Sequence, residues 1–148
     1  MKKYFAVFVV ALLSLVGCDD PLNSGNDGPT GNLEGQWHIV EWNGTEPEFD
    51  IYLSFNDGSF DIYQQVWTLD YQHFYGAYTI KGSIVNGQYV DGVDWACGYK
   101  FNVSGNTLTL HSQEDNSVTS VYKSCVIPQD VITEATTTRV EGATPYRP

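Results

Sequence analysis

Cys18 follows a segment that is typical of a substrate for covalent lipid attachment. Two lysines come directly after Met1, residues 4–16 are apolar apart from Ser14, and the run ends in Leu15-Val16-Gly17-Cys18. This ending matches the lipobox, in which a branched apolar residue and small residues precede a cysteine. The thiol of such a cysteine attacks diacylglycerol, and the small residues fit the cleft of the signal peptidase. The sequence therefore predicts a lipoprotein signal peptide over residues 1–17 and a lipid on Cys18.

The apolar run is too short for a spanning helix, which needs about 20 apolar residues. Its length and its positive flank are typical of a signal peptide. Two or three acyl chains on Cys18, palmitate among them, would give stable anchoring, whereas one chain would bind a membrane only marginally. The alternative is an ordinary secretory signal with a chance cysteine.

The residues behind Cys18 bear on where the anchored protein resides. Asp19 and Asp20 resemble the surface-export signal of some Gram-negative gut bacteria, whereas in other bacteria an Asp at this place retains the protein at the inner membrane. We expect a lipid-anchored protein of the cell envelope, with the outer membrane as the first expectation. The sequence leaves open whether it faces the periplasm or the cell surface.

The charge of the chain argues against nucleic acid as a partner. All 18 acidic residues follow the signal peptide but only five of the seven basic residues do, so the mature chain has a net charge of about −13. Binding to phosphates needs clustered Lys and Arg. The partners that we expect are therefore the membrane, through the lipid, and a small-molecule ligand or a glycan.

The other reactive side chains form no catalytic motif. The three histidines, His38, His73 and His111, share no metal-ligand spacing. The chain also lacks a nucleophile elbow, a phosphate loop and a His-Glu-x-x-His segment. The sequence therefore predicts no metal site, no cofactor and no enzymatic activity.

Strand signals run from residue 36 to residue 124. Tyr, Trp, Phe, Val, Ile and Thr are frequent, and Gly, Asn and Asp interrupt them at short intervals. Apolar and polar residues alternate over residues 49–55, and Asp57-Gly58 after them is a strong hairpin signal. The candidate strands are residues 36–43, 49–56, 59–66, 73–80, 83–90, 97–104, 107–112 and 117–124.

Eight short strands joined by short turns fit one all-β domain. We predict an eight-stranded up-and-down antiparallel barrel, which removes exposed sheet edges, with a short C-terminal helix after Pro128. The domain would cover residues 33–135. The Gly-, Asn- and Pro-rich residues 18–32 are expected to form a flexible tether, and residues 136–148 a disordered tail.

If Cys18 carries the lipid, Cys97 and Cys125 are the two remaining cysteines. Export to an oxidising compartment favours a disulfide between them. In a meander, however, one cysteine begins the sixth strand and the other ends the eighth, about 20 Å apart at ~3.3 Å per residue. A disulfide needs Cα atoms within about 7 Å. The sequence alone does not decide whether Cys97 and Cys125 form a disulfide.

Several segments resemble a known family. Gly35-Gln36-Trp37 is similar to the Gly-x-Trp signature of lipocalins, in which the tryptophan packs across the closed end of the barrel. The wider pattern over residues 33–133 resembles a family of short lipocalin-like lipoproteins, through segments 42–44, 50–55, 60–64, 76–79, 89–95, 105–110, 121–123 and 127–128. The resemblance implies a lipocalin-like barrel at the cell envelope and no particular ligand.

Aromatic residues are the one compositional excess, at 14% of the chain. They can fill the interior of a small barrel or provide contact area for a ligand. Those in the expected connections are the candidates for the ligand: Trp67, Tyr71, Phe74 and Trp95, with His73 beside them. We predict that the barrel binds a small hydrophobic or amphipathic molecule. The alternative is a non-enzymatic interaction module that binds a partner protein or a glycan through loop aromatics.

Overall fold

The structure, a computed structural model, describes residues 31–137 and closes them into a barrel. The strand order β3-β2-β1-β8-β7-β6-β5-β4, together with pairing of β3 with β4, completes the ring. Every neighbouring pair in the ring is antiparallel, so the predicted eight-stranded up-and-down barrel with a short C-terminal helix is confirmed. The elements are β1 (Gly35–Trp42), β2 (Asp50–Asn56), β3 (Ser59–Gln65), β4 (Gln72–Lys81), β5 (Ile84–Tyr89), β6 (Tyr99–Ser104), β7 (Thr107–Ser112), β8 (Thr119–Ser124), α1 (Gln129–Glu134) and β9 (Thr136–Thr137).

The connections at the two ends of the barrel differ in length. We call one end the turn end, because its strands are joined by the two-residue turns 57–58, 82–83 and 105–106. Asp57 and Gly58 have φ of 46° and 76°, the left-handed geometry that an Asp-Gly hairpin turn requires. The other is the loop end, where residues 43–49, 66–71, 90–98 and 113–118 connect the strands.

Aromatic rings fill much of the interior. Strand alternation turns Ile51, Leu53 and Phe55 inward, each at most 2% exposed. Nine aromatic residues belong to the same core cluster: Trp37, Phe55, Phe60, Phe74, Tyr89, Trp95, Tyr99, Phe101 and Tyr122. Much of the aromatic excess of the sequence therefore serves packing.

Trp37 closes the turn end. Its side chain is 4% exposed, and its indole Nε1 donates a hydrogen bond to the Leu33 carbonyl at 3.0 Å. Gly35 lies against the indole, since a Cβ there would lie 3.7 Å from the ring. The polar edge of the tryptophan is thus satisfied inside an apolar layer.

Trp95 completes the core where two strands separate. β5 and β6 share only the pairs Ile84–Lys100 and Val85–Tyr99. Residues after 93 fold back along β5, with a bond from the Trp95 N–H to the Gly87 carbonyl at 2.8 Å. The indole fills the space over Gly87, where a Cβ would lie 2.1 Å from Cε2 of the ring.

Residues 125–137 cross the outside of the barrel and form a segment that we call the strap. It begins at β1, where the Ile127 N–H donates to Gln36 Oε1 at 2.8 Å. Ile127 and Val131 then pack on Tyr63 in a second apolar cluster. The strap covers the outer face of β2 and β3.

The strap ends on β4. The Thr136 N–H donates to the Tyr71 carbonyl at 2.9 Å, and β9 pairs in parallel with Gln72 and His73. The prediction of disorder from residue 136 onward is thus wrong for Thr136 and Thr137, because β4 extends past the end of β5 and leaves backbone groups for them to pair with. Residues 138–148 lie outside the described part.

Candidate functional site

The buried polar side chains concentrate toward the loop end. Within residues 31–137, four polar side chains are fully or nearly fully buried. Gln64 is the penultimate residue of β3, Ser112 ends β7 and Ser120 is the second residue of β8. These three lie near the loop end, and only Ser83 lies at the turn end. The barrel interior is therefore apolar at one end and polar at the other.

Gln64 is the most unusual of these residues. Alternation along β3 places it on the inner face with Phe60 and Ile62, and its side chain is 0% exposed. Neither its Oε1 nor its Nε2 has a hydrogen-bond partner among the described residues. Each buried polar atom left without a partner costs about 1–3 kcal/mol. A ligand or an ordered water beside Gln64 would remove this penalty.

Tyr122 presents a second kind of buried polar atom, farther from the loop end than Gln64. Tyr122 is the fourth of the six residues of β8 and pairs with Leu108, the second residue of β7. The hydroxyl makes no hydrogen bond of ordinary geometry within the described residues. Burial raises the pKa of Tyr122 well above its ordinary value of 10.0, against a smaller opposing effect of the Ser120 hydroxyl. The phenol therefore stays protonated and can donate.

The loop of residues 66–71 contains two of the predicted ligand residues. Trp67 is 73% exposed, and Leu69 beside it is 92% exposed. The Tyr71 hydroxyl instead donates to the Asp50 carboxylate. Burial, followed by this hydrogen bond, raises the pKa of Tyr71 well above its ordinary value. Trp67 lies in a loop and is exposed, as predicted, whereas Tyr71 is held against the barrel wall.

Phe74 and Trp95 are not exposed loop aromatics. Phe74 lies within β4, pairs with Ile62 and is 1% exposed, because alternation along the strand turns it inward. Trp95 lies in a connection but is 7% exposed, because Gly87 leaves room for its ring inside the wall. Of the four predicted ligand residues, Trp67, Tyr71 and Trp95 lie in connections as expected, whereas Phe74 lies within β4. The four are divided between the surface and the core.

The outer face carries a repeated arrangement that the sequence analysis missed. Asp50-Ile51-Tyr52 on β2 and Asp61-Ile62-Tyr63 on β3 contain the same three residues. Asp50 Oδ1 lies 2.5 Å from Nε2 of His38, and Asp61 Oδ1 lies 2.8 Å from Nε2 of His73. The Asp-Ile-Tyr repeat on adjacent candidate strands was the signal that could have revealed these pairs.

Each tyrosine of the repeat stacks on the histidine that its aspartate binds. The ring centroids of His38 and Tyr52 are 4.4 Å apart, and those of Tyr63 and His73 are 4.5 Å apart. Burial and the nearby aspartate raise the pKa of both tyrosines. Since Ile127 and Val131 pack on Tyr63, this arrangement supports the strap.

Two solved structures with a similar fold come from Bacteroides species. A lipocalin-like protein from Bacteroides uniformis matches 64% of this chain and 100% of its own, with a TM-score of 0.53 and 19% identity. The fold is lipocalin-like. An uncharacterised protein from Bacteroides eggerthii matches the same shares of the two chains, with a TM-score of 0.50 and 17% identity. At these identities the likeness concerns the fold alone. No protein-family model and no curated protein matches the chain.

The two cysteines of the lipocalin-like barrel are free. Cys97 lies toward the loop end, with Sγ 3.4 Å from the Ser112 hydroxyl, whereas Cys125 follows β8 at the turn end. The predicted geometric obstacle to a disulfide therefore agrees with the structure. Trp95 and Cys97 both line an outer cleft of about 490 Å³ beside β4 and β5.

The two thiols have different environments. Burial opposes ionisation of Cys97, but hydrogen bonds from the Ser112 hydroxyl and from backbone N–H groups outweigh it, and the pKa of Cys97 is lowered. Burial, with a smaller effect of Asp50, raises the pKa of Cys125. The Cys97 thiol therefore ionises at lower pH than the Cys125 thiol.

Two further kinds of feature bear on function within residues 31–137, namely clusters of metal ligands and membrane-spanning helices. No group of three or more His, Cys, Asp or Glu side chains there could hold a metal ion. No helix in this part is long and apolar enough to cross a membrane. The predicted lipidation site, Cys18, lies outside the described residues.

Proposed function

We propose that this chain is a lipid-anchored binding protein of the cell envelope that holds a small amphipathic molecule in the loop end of its barrel. The observation that carries the proposal is the fully buried Gln64, whose two amide atoms lack partners among the described residues. The buried Tyr122 hydroxyl is a third polar atom without a hydrogen-bond partner among the described residues. An amphipathic ligand would match these groups with its polar part.

The surroundings of Gln64 support an amphipathic rather than a fully polar ligand. Ile62 and Phe60 precede Gln64 on the inner face of β3, and both are at most 1% exposed. Ile51, its partner on β2, is 0% exposed. A ligand in contact with Gln64 would therefore meet apolar walls on the side toward the turn end. Burial of apolar surface would contribute about 25 cal/mol per Å².

The course of the N-terminal segment supports the orientation of the anchored protein. A Cβ on Gly31 would lie 2.8 Å from Cβ of Val103, which is near the turn end of β6. The segment after Cys18 would therefore join the barrel at its turn end. The loop end, near which Gln64 lies, would be directed away from the membrane.

The ligand site is tested on the mature chain, residues 18–148, carrying Cys18→Ser and exported to a bacterial periplasm. Native mass spectrometry should detect a bound small molecule after purification. Gln64→Leu should lose it, whereas the matched control Gln113→Leu, at an exposed loop residue, should retain it. A clean apo mass for the parent chain, together with no gain in stability for Gln64→Leu, would contradict the proposal.

The anchor is tested on the full chain by metabolic labelling with an alkyne analogue of palmitate. The wild-type chain should take up the label and fractionate with membranes. Cys18→Ser should take up no label and appear in the soluble fraction. Equal labelling of the two chains would exclude Cys18 as the lipidated residue.

Trp67 supports a second candidate function, a module that binds a partner protein or a glycan through its loops. The residue is 73% exposed in the loop of residues 66–71, and exposed tryptophans are favourable contact residues in interfaces. The two candidate functions predict that different substitutions abolish binding. Trp67→Ala would abolish binding by an interaction module, whereas Gln64→Leu would abolish binding by a carrier barrel.

A further inference from the structure

The four connections of the loop end are acidic. They contain no Lys, Arg or His. They contain seven carboxylates, all on exposed residues: Glu46, Glu48, Asp70, Asp91, Asp94, Glu114 and Asp115. Of the three lysines in residues 31–137, Lys81 and Lys123 lie beside the turn end, and Lys100 is the second residue of β6 at the loop end. Carboxylates therefore far outnumber basic side chains at the loop end but not at the turn end.

Exposed apolar side chains lie among these carboxylates. Two neighbouring connections, residues 66–71 and 90–98, expose Trp67, Leu69, Val90 and Val93 by 73%, 92%, 56% and 51%. The last three are each followed directly by an aspartate, in the pairs Leu69-Asp70, Val90-Asp91 and Val93-Asp94. The rim thus alternates apolar contact area with negative charge.

Carboxylates grouped at one end of the barrel attract cations and repel anions. Clefts lined by one charge sign raise the local concentration of the opposite ion and its association rate by about 10–10³-fold. A cation can also bind over the face of an exposed indole such as that of Trp67. An anionic headgroup, such as a fatty-acid carboxylate, would have to approach against seven like charges.

We infer that the ligand of the loop end is a cationic amphiphile, a molecule with an ammonium group and a short apolar chain. The inference rests on the proposed function. The acidic rim selects the charge, and the buried Gln64 inside it, with its unmatched Oε1, marks where an N–H donor binds. The exposed apolar residues of the rim contact the chain of the ligand as it enters.

The test uses three probes with the same eight-carbon chain: octylamine, 1-octanol and octanoate. Their binding to the mature chain carrying Cys18→Ser is measured by titration calorimetry at neutral pH and low salt. Octylamine should bind at least ~10-fold more tightly than octanoate, with octanol between them. In 1 M salt, where the screening length is about 3 Å, the difference should largely disappear.

A matched pair of variants tests whether the rim is responsible. Glu46→Gln with Asp70→Asn removes two charges at the loop end, and Glu34→Gln with Asp57→Asn removes two at the turn end. The first variant should reduce the preference for octylamine by ~3-fold, since exposed charge pairs are each worth about 0.2–1 kcal/mol. The second should leave it unchanged.

The outcomes separate the inference from the function on which it rests. Equal binding of octylamine and octanoate at low salt would overturn the cationic assignment while leaving a ligand-binding barrel. A failure of all three probes to bind, with an apo mass from the periplasm, would overturn both. An equal effect of the two double variants would overturn the role of the acidic rim.

Discussion

The two ends of the barrel are built for different tasks. At the turn end, two-residue turns join the strands, and the one polar atom of Trp37 is matched by the Leu33 carbonyl. At the loop end, six- to nine-residue connections join the strands, and Gln64 is buried with both amide atoms unmatched. The turn end has the polar atom of its tryptophan matched, whereas the loop end has a buried amide without partners among the described residues.

The comparison teaches where stability and binding are located in this chain. Short turns and matched polar atoms fix the strand register at one end. The loop end differs in three ways. It has buried polar atoms without hydrogen-bond partners among the described residues, exposed apolar side chains, and more carboxylates than basic side chains. Departures of this kind concentrate at functional sites, where other parts of the fold compensate for them.

Replacing the tryptophan at each end should give the largest contrast. Trp37→Ala removes a ring that is 4% exposed and should lower the free energy of unfolding by about 3–5 kcal/mol. Trp67→Ala removes a ring that is 73% exposed and should change it by less than about 0.5 kcal/mol. Urea denaturation of the two variants measures both values, and similar losses would contradict the division between the ends.

Gly87→Ala should show that Trp95 belongs to the core and not to an open mouth. A Cβ at Gly87 would lie 2.1 Å from the Trp95 ring, so the indole must move. Overpacking of this kind costs about 1–3 kcal/mol. Trp95→Phe in the same background should recover part of the loss, because its smaller ring leaves room for the methyl group. Unchanged stability of Gly87→Ala would refute this placement.

Tyr122 should make the stability of the fold depend on pH in the alkaline range. Burial raises the pKa of Tyr122 in the folded chain above its ordinary value of 10.0, so the folded state keeps a proton that the unfolded state releases. Stability is therefore complete below pH 10 and falls as the pH rises above it. Between pH 10 and 11, the parent chain should lose about 1 kcal/mol more than Tyr122→Phe. Equal losses would show that Tyr122 ionises normally.

The thiols of the two ends should differ in reactivity, which is the smallest effect that we predict. The pKa of Cys97 is lowered and that of Cys125 is raised. At neutral pH, iodoacetamide should therefore alkylate Cys97 several-fold faster than Cys125, because the thiolate is the nucleophile. Peptide mass spectrometry measures the two rates, and in urea they should converge. Faster alkylation of Cys125 would reverse the assignment.

Local signals in the sequence were sufficient to predict the barrel and its strands. Alternation and turn residues predicted the seventh strand, Thr107–Ser112, at its observed bounds and the others to within two residues at each end. The short helix was predicted to follow Pro128, and it begins at Gln129. These features depend on neighbours in the chain, and each strand repeats the same period of two.

The candidate site was less predictable because it depends on long-range packing. Trp95 is buried only because Gly87, on another strand, leaves space for it. Gln64 is a polar residue near the end of a candidate strand, and only closure of the barrel places its amide in the interior. β9 forms because β4 begins before the region in which it pairs with β5, so that Gln72 and His73 can pair with β9. Strand periodicity does not reveal this pairing.

The most direct test of the account is a crystal structure of the mature chain carrying Cys18→Ser, purified from the periplasm without added ligand. The account predicts density for an amphipathic molecule inside the loop end, with an N–H group within about 3 Å of Gln64 Oε1. A barrel in which the Gln64 amide bonds to the protein itself, with no molecule beside it, would contradict the central claim.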